Sequence, residues 1–384
     1  MTGIALIGTG FVADYYMTTL ANHPELKLAG AYDRDPAALG RFSAYHHVKA
    51  YGSLDEALAD AATAIVVNLT SPQSHYEVSR RALEAGKHVY SEKPLAMSVD
   101  EAAALVGLAG ERGLTVAAAP ANALSPAHHA VRAALAAGEI GAPRLVYAEM
   151  EDGPVFRERW REWRSASGAP WPGQHEFEIG CTLEHAGYAL SWLVSLFGPV
   201  ETLSAFSTTA FADKGDPDHP VGPDYSVGNL VFRSGPVARL TSGLAAPKDR
   251  SLTILGDNGT ITVRDLWDHF SPVRIERANA RRTVEKVAGR AERKMGRALP
   301  FRPQPGAPLA VARDPKVRLP AFPSKIDFCG GIAAQARALS DGRPPFFSGE
   351  VALHITEIAL ALTAAGHASA PYRPRSGLNW PQTR

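Results

Sequence analysis

Cysteine is scarce: only Cys181 and Cys329 occur in 384 residues, without the paired spacing of a zinc site or the density of a disulfide-stapled secreted scaffold. A reducing, cytoplasmic setting fits, and no other His or Cys cluster has metal-ligand spacing, so no metal is expected. Long apolar runs are missing too. No stretch of about 18 apolar residues runs free of charge, which argues against a membrane-spanning helix. The opening MTGIALIGTG lacks a charged start and is broken by glycine, so it reads as a first strand rather than a signal peptide. Neither sign of charge dominates. Lys plus Arg number 40 against 39 Asp plus Glu, a formal net charge of +1, so no global field draws nucleic acid. A small-molecule partner is the default. Hydrophobic residues at 45% and charged residues at 21% are ordinary for a globular chain. At roughly 100 to 200 residues per domain, the length predicts two domains.

Up to about residue 120, short apolar runs alternate with amphipathic stretches, the texture of βαβ units in a parallel sheet. Candidate strands are residues 4–7, 28–32, 64–69, 88–90 and 114–118. Segments 74–85 and 98–109 carry helical spacing, each opened by a serine able to cap it, with Gly86 and Gly113 where the helices end. After Pro120 the texture changes. A helical stretch over 126–137 leads into LVYAEM, and strand patterns follow at 201–207, 226–232, 238–243, 251–255 and 259–264 with a turn at Gly256-Asp257-Asn258-Gly259. The predicted architecture is an α/β Rossmann domain over 1–122 and an α+β domain over 123–384 with a large, mostly antiparallel open-faced sheet. Residues 274–318 are rich in Arg, Lys and Pro and read as an insertion or an exposed basic helix. A solvated face is the plain reading; a lid or a membrane-surface contact is the alternative.

The first chemical motif is Gly8-Thr9-Gly10-Phe11-Val12-Ala13, after strand one and at a helix start. Gly8 permits the tight turn, Gly10 lets backbone amides approach a pyrophosphate, and Ala13 allows close helix-sheet packing. Asp33 follows Ala13 by 20 residues, close to the spacing at which an acid receives the ribose hydroxyls. Its charge repels a 2′-phosphate, which favours NAD over NADP, although the neighbouring Arg34 can stack on adenine or partly compensate.

Three features then occur in order: the glycine motif, a Thr-x-Pro-x-x-His turn at Thr70, Pro72 and His75, and Glu92-Lys93-Pro94. With these the sequence resembles the Gfo/Idh/MocA oxidoreductases, and the likeness continues through GEIGAP and GRPPFFSGEVALHITEIALAL. The resemblance implies a cofactor site that includes Thr70, Pro72, His75, Glu92, Lys93 and Asn122, a cis Pro94, and a homodimer or homotetramer formed through the open sheet face. A lysine at a strand's carboxyl end faces the crevice where nicotinamide and substrate meet, and Lys93 can hydrogen-bond a substrate hydroxyl and relay its proton.

In the family a helix usually carries Asp-x-x-x-His. His185 matches the histidine, and with an ordinary pKa near neutrality it suits acid-base work. The aspartate position falls on Cys181, a departure that Glu184 or Glu178 is positioned to offset. The stretch DGPVFRERWREWRSASGAPWPGQHEFEIG holds four arginines and three tryptophans. Tryptophan faces pack on sugar rings and arginine forks hold anions, or else Trp160, Trp163 and Trp171 only pack the junction. Trp171, His175, Cys181, Lys93 and His185 are the substrate contacts expected here, with Lys93 and His185 catalytic.

The activity expected is NAD-dependent hydride transfer at a hydroxyl carbon of a sugar, sugar derivative or cyclitol. An NAD-dependent glycosidase, acting by transient oxidation, elimination, hydration and re-reduction on an anionic glycoside, is the rival enzyme. A non-catalytic sugar sensor is the third class, and retention of Lys93 and His185 argues against it.

Overall fold

A computed structural model describes every residue except 217, 281–282, 300–303, 322–323, 368–369 and 379–384, together with the side chains of 283–285. The first sheet is parallel throughout. Its strands are β1 (Thr2–Ile7), β2 (Leu26–Tyr32), β3 (Ile65–Asn68), β4 (His88–Ser91) and β5 (Val116–Ala118), in the order β2-β1-β3-β4-β5. All of β3 and nearly all of β4 is buried, because helices cover both faces. That burial is why these strands read as unbroken apolar runs rather than alternating ones.

The second sheet holds β6 (Pro143–Glu151), β7 (Val200–Thr208), β8 (Tyr225–Phe232), β9 (Val237–Gly243), β10 (Leu252–Gly256), β11 (Gly259–Val263), β12 (Val273–Arg277) and β13 (Ala307–Pro308). The order is β13-β12-β11-β10-β6-β9-β8-β7, antiparallel except where β6 meets β9. One face packs inward while Leu145 and Tyr147 stand exposed on the other, the alternation of a half-open sheet. Gly256 pairs with Gly259 across the turn expected there.

Several local expectations shift. The helix placed at residue 74 starts at Pro72, whose fixed φ and missing N–H suit a first turn, so Ser74 lies inside it and caps nothing. Ser98 does cap, accepting from Glu101 N at 3.2 Å. Part of the basic segment is strand: Val273–Arg277 pairs in register with β11, with Val273 and Ile275 buried and their neighbours turned out. A helix, Thr283–Met295, follows it, and residues 281–282 and 300–303 of that segment lie outside the described residues.

One apolar core runs from Leu6 and Val67 of the first sheet through Leu190 and Leu193 to Val146 and Ile254 of the second. The end of the chain returns to the first sheet. Gln335 Nε2, on the helix Gly330–Ser340, donates to Val89 O at 3.0 Å, and Thr356 Oγ1, on Gly349–Thr363, accepts from Leu95 N at 3.2 Å. These contacts fix the crevice between the sheets. Among the described residues no helix is long and apolar enough to cross a membrane.

Candidate active site

The loops at the carboxyl ends of β1, β3 and β4 open onto a cleft of about 510 Å³. Gly8, at φ +100°, makes the turn after β1; a Cβ there would stand 2.6 Å from the Leu69 carbonyl. Gly10 has the opposite surroundings, with nothing within 4 Å of a Cβ, so its backbone faces open space at the start of the helix Ala13–Leu20. Phe11 and Val12 line the cleft, and fully buried Ala13 packs the helix onto the sheet. Asp33 ends β2. One of its carboxylate oxygens accepts from Thr9 N at 2.7 Å and Thr9 Oγ1 at 3.0 Å, and the other from Asp35 N at 2.9 Å. The acid is thus tied to the glycine turn, with Arg34 exposed beside it. An open cradle at Gly10 and a fixed acid at the tip of β2 suit a dinucleotide's pyrophosphate and ribose.

Thr70, Pro72 and His75 also line the cleft. His75 is buried, with Nδ1 2.6 Å from Pro94 O and Nε2 3.0 Å from Thr70 O, and burial pulls its pKa down. Each ring nitrogen sits at hydrogen-bond distance from a backbone carbonyl and the ring N–H donates to one of them, so this residue joins the loop after β3 to the loop after β4. Glu92 is likewise committed, accepting from Tyr16 Oη at 2.7 Å and Lys93 N at 3.1 Å. The Lys93–Pro94 peptide is cis, as the resemblance implies.

Lys93 Nζ lies 2.5 Å from Glu184 Oε2 and 5.7 Å from the Tyr188 ring centre. Burial works against its charge, but the Glu184 carboxylate, with Tyr188, Glu92 and Glu176 around it, holds the ammonium pKa above its ordinary value. The helical pair that meets Lys93 is therefore Glu184 and Tyr188, at i and i+4, rather than Cys181 and His185. A π-helical turn, Thr182–Ala186, precedes the helix Gly187–Phe197. Cys181 and His185 share the same i, i+4 spacing, but Cys181 faces the core and only His185 reaches the cleft. Cys181 is fully buried among Val155, Trp160, Phe177 and Leu244, its Sγ 3.3 Å from Ser242 O, and burial pushes the thiol up to about 12. It does not line the cleft.

His185 does line it, edge-on to Trp267 at 5.5 Å, and its Nδ1 has no hydrogen-bond partner among the described residues. Neither Glu184 nor Glu178 orients it: the first is taken by Lys93 and the second sits 3.7 Å from His175. Burial, with Lys93 adding to it, lowers the imidazole to about 3, so it stands neutral instead of titrating near neutrality. Asn122 lies off the cleft. Its Nδ2 donates to Tyr188 O at 2.9 Å and Leu266 O at 3.1 Å, and its Oδ1 accepts from Ser191 Oγ at 2.8 Å. It positions the helix that bears Tyr188.

Trp163 and Trp171 form part of the wall, whereas Trp160 is buried against Phe177. His175 lines the cleft and meets Gln73 Oε1 at 2.8 Å. The four arginines of this stretch stay out of it. Arg157 covers Phe156 and Phe211, Arg159 pairs with Glu162, Arg161 donates to Gly215 O, and Arg164 donates to the carbonyls of Arg161 and Trp163. Sequence reasoning missed Asp152, Glu158, Glu176, Tyr188, Lys248 and Trp267, all of which line the cleft. Burial and the nearby Glu184 raise the Glu176 carboxyl pKa. Its only sequence signal is adjacency to His175.

Residues 2–119 match the oxidoreductase family with an NAD-binding Rossmann fold, and residues 128–262 match the GFO/IDH/MocA C-terminal domain. An uncharacterized oxidoreductase of Synechocystis is 30% identical over 215 residues, 56% of this chain and 56% of that one. UDP-N-acetylglucosamine 3-dehydrogenase of Acidithiobacillus ferrooxidans is 32% identical over 148 residues, 38% of this chain and 44% of that one. The chain spans about half the length of these curated relatives. The WlbA dehydrogenase of Bordetella pertussis, solved with NADH and UDP-GlcNAcA, superposes with a TM-score of 0.73 over 98% of both chains at 18% identity, a likeness of fold. With residues 2–119 and 128–262 matched to the two domains of one family, the chain belongs to the Gfo/Idh/MocA family of oxidoreductases, whose N-terminal domain is an NAD-binding Rossmann fold.

Proposed function

We propose that this oxidoreductase moves a hydride between NAD and a hydroxyl-bearing carbon of a sugar, sugar derivative or cyclitol. The observation that carries the reading is the buried Lys93 ammonium, held 2.5 Å from Glu184 in the cleft that begins at the glycine turn. A relative that acts on a UDP-linked sugar supports the substrate class. Gly10 and the helix behind it hold the pyrophosphate, and Asp33 receives the adenosine ribose and disfavours a 2′-phosphate. Bound there, NAD supplies the nicotinamide carbon that takes up or returns the hydride.

The remaining work falls to side chains. Lys93 donates a hydrogen bond to the reacting oxygen and stabilises the negative charge that grows on it as hydride departs. As Nζ yields a proton to Glu184 Oε2 it gains the lone pair that takes up the hydroxyl proton, and Glu184 then releases its proton to solvent; reduction runs the same path backwards. Tyr188, kept protonated by burial, donates a second hydrogen bond. Neutral His185 accepts one from a substrate hydroxyl and orients the ring.

Incubation with NAD and a panel of free sugars, cyclitols and nitrophenyl glycosides tests the reading. NADH and a keto product should form in equal amounts from at least one polyol. Nitrophenol released without net NADH would overturn it in favour of the transient-oxidation glycosidase.

A further inference from the structure

The cleft wall built by residues 152–176 together with Lys248 is acidic. Asp152, Glu158 and Glu176 line it, and Lys248, 3.8 Å from Asp152, is its one permanent cation among the described residues. Arg250 stands behind Asp152 at 3.6 Å and is committed to Asp265 at 2.8 Å. Glu158 and Glu176 have no ion-pair partner among the described residues. The nearest arginines in sequence, Arg157, Arg159, Arg161 and Arg164, all face away. A phosphate, a carboxylate or a nucleotide diphosphate entering here would find no free cation on this wall, since Lys248 and Arg250 already share Asp152, and would stand beside the exposed charge of Glu158 and the Glu176 carboxyl, whose burial already works against a negative charge, so it is disfavoured. Hydroxyl and ammonium groups meet acceptors instead. Trp163 and Trp171, edge to face with centroids 5.0 Å apart, offer an apolar surface for the C–H face of a ring.

We infer that the substrate is a sugar or cyclitol without an anionic group, neutral or amino-bearing, whose hydroxyl or ammonium donors are received by Glu158 and Glu176. The inference rests on the oxidoreductase reading above and narrows its substrate class. It sets this chain's preference apart from that of the relative named for a UDP-linked sugar.

The test uses the NAD-loaded protein and a matched set of probes: glucose, glucosamine, myo-inositol, glucuronate, glucose 6-phosphate and UDP-N-acetylglucosamine. Two readouts run in parallel, quenching of tryptophan fluorescence and formation of NADH. A neutral or amino probe should bind at least about tenfold more tightly than every anionic one. Glu158→Lys should narrow that ratio several-fold by admitting the anions. Tightest binding by an anionic probe, an unchanged ratio in Glu158→Lys, or no quenching by any neutral or amino probe would each overturn the inference. Selective quenching without NADH from any probe would count against the oxidoreductase reading while supporting the charge preference.

Discussion

Lys93 Nζ and Glu184 Oε2 lie 2.5 Å apart with both side chains largely buried, so a loop of the first sheet and a helix lying against the second meet in a single ion pair. Neither partner can be removed quietly. An unpaired charge left in such a place costs about 3–5 kcal/mol, and here the pair also faces the reacting oxygen.

Lys93→Met should therefore lower kcat by about 10²- to 10⁴-fold, the range for a lost proton-transfer group, while NAD still binds. Steady-state kinetics beside a direct NAD titration checks this. Loss of NAD binding in step with kcat would point to a structural role.

Glu184→Gln should move the pH profile. The ammonium of Lys93 is useful below its pKa, and that pKa is raised by Glu184 against the opposing effect of burial. With the carboxylate neutralised, burial prevails and the pKa falls. The alkaline limb of kcat/KM should then move to lower pH, and an unmoved limb would show that Glu184 does not hold the lysine charged.

The two turn glycines should fail in different ways. Gly8→Ala places a Cβ 2.6 Å from the Leu69 carbonyl at φ +100° and should lower Tm. Gly10→Val meets nothing within 4 Å of its Cβ, so it should keep its Tm and lose nucleotide affinity. Thermal melts with and without NAD separate the two.

Asp33 should set the cofactor preference. The wild-type chain is expected to use NAD in preference to NADP, and Asp33→Ser should shrink the ratio of kcat/KM values by roughly tenfold or more as the repulsion on the 2′-phosphate disappears. Equal ratios in the two proteins would contradict the assignment.

Buried Glu357 should tie stability to pH. It accepts from Tyr372 Oη, Arg375 N and Ser376 N at 2.8, 2.6 and 2.7 Å, and these bonds hold its pKa below the ordinary value. A depressed carboxylate stabilises fully above its unfolded pKa and loses that contribution as pH falls through the folded one. Glu357→Gln should cost about 1–3 kcal/mol at neutral pH and much less in acid, measurable by denaturant unfolding at both.

The sequence was most legible where backbone geometry and chemistry coincide. Gly8, Gly10 and Asp33 announce the nucleotide turn because few other residues can make it, and β3 and β4 show as apolar runs because helices bury both faces. Lys93 was legible through its flanks. Glu184 and Tyr188 were not, because they share the i, i+4 spacing of Cys181 and His185, and the alignment was anchored on the histidine, whereas only the fold shows that Glu184 meets Lys93 and that Cys181 faces the core. The shift of His185 was hidden too, since it arises from burial and from Lys93, both set by parts of the chain distant in sequence. Glu158 and Glu176 carry no motif; only the fold brings them to one wall, while the arginines interleaved with Glu158 turn outward.

The most direct test follows a substrate deuterated at its reacting carbon, with NAD, in the wild-type chain and in Lys93→Met. Mass spectrometry should find one deuterium in the reduced cofactor for each keto product in the wild type, formed at least about a hundredfold more slowly in the variant. Product without label in the cofactor, or a variant that keeps the wild-type rate, would contradict hydride transfer assisted by Lys93.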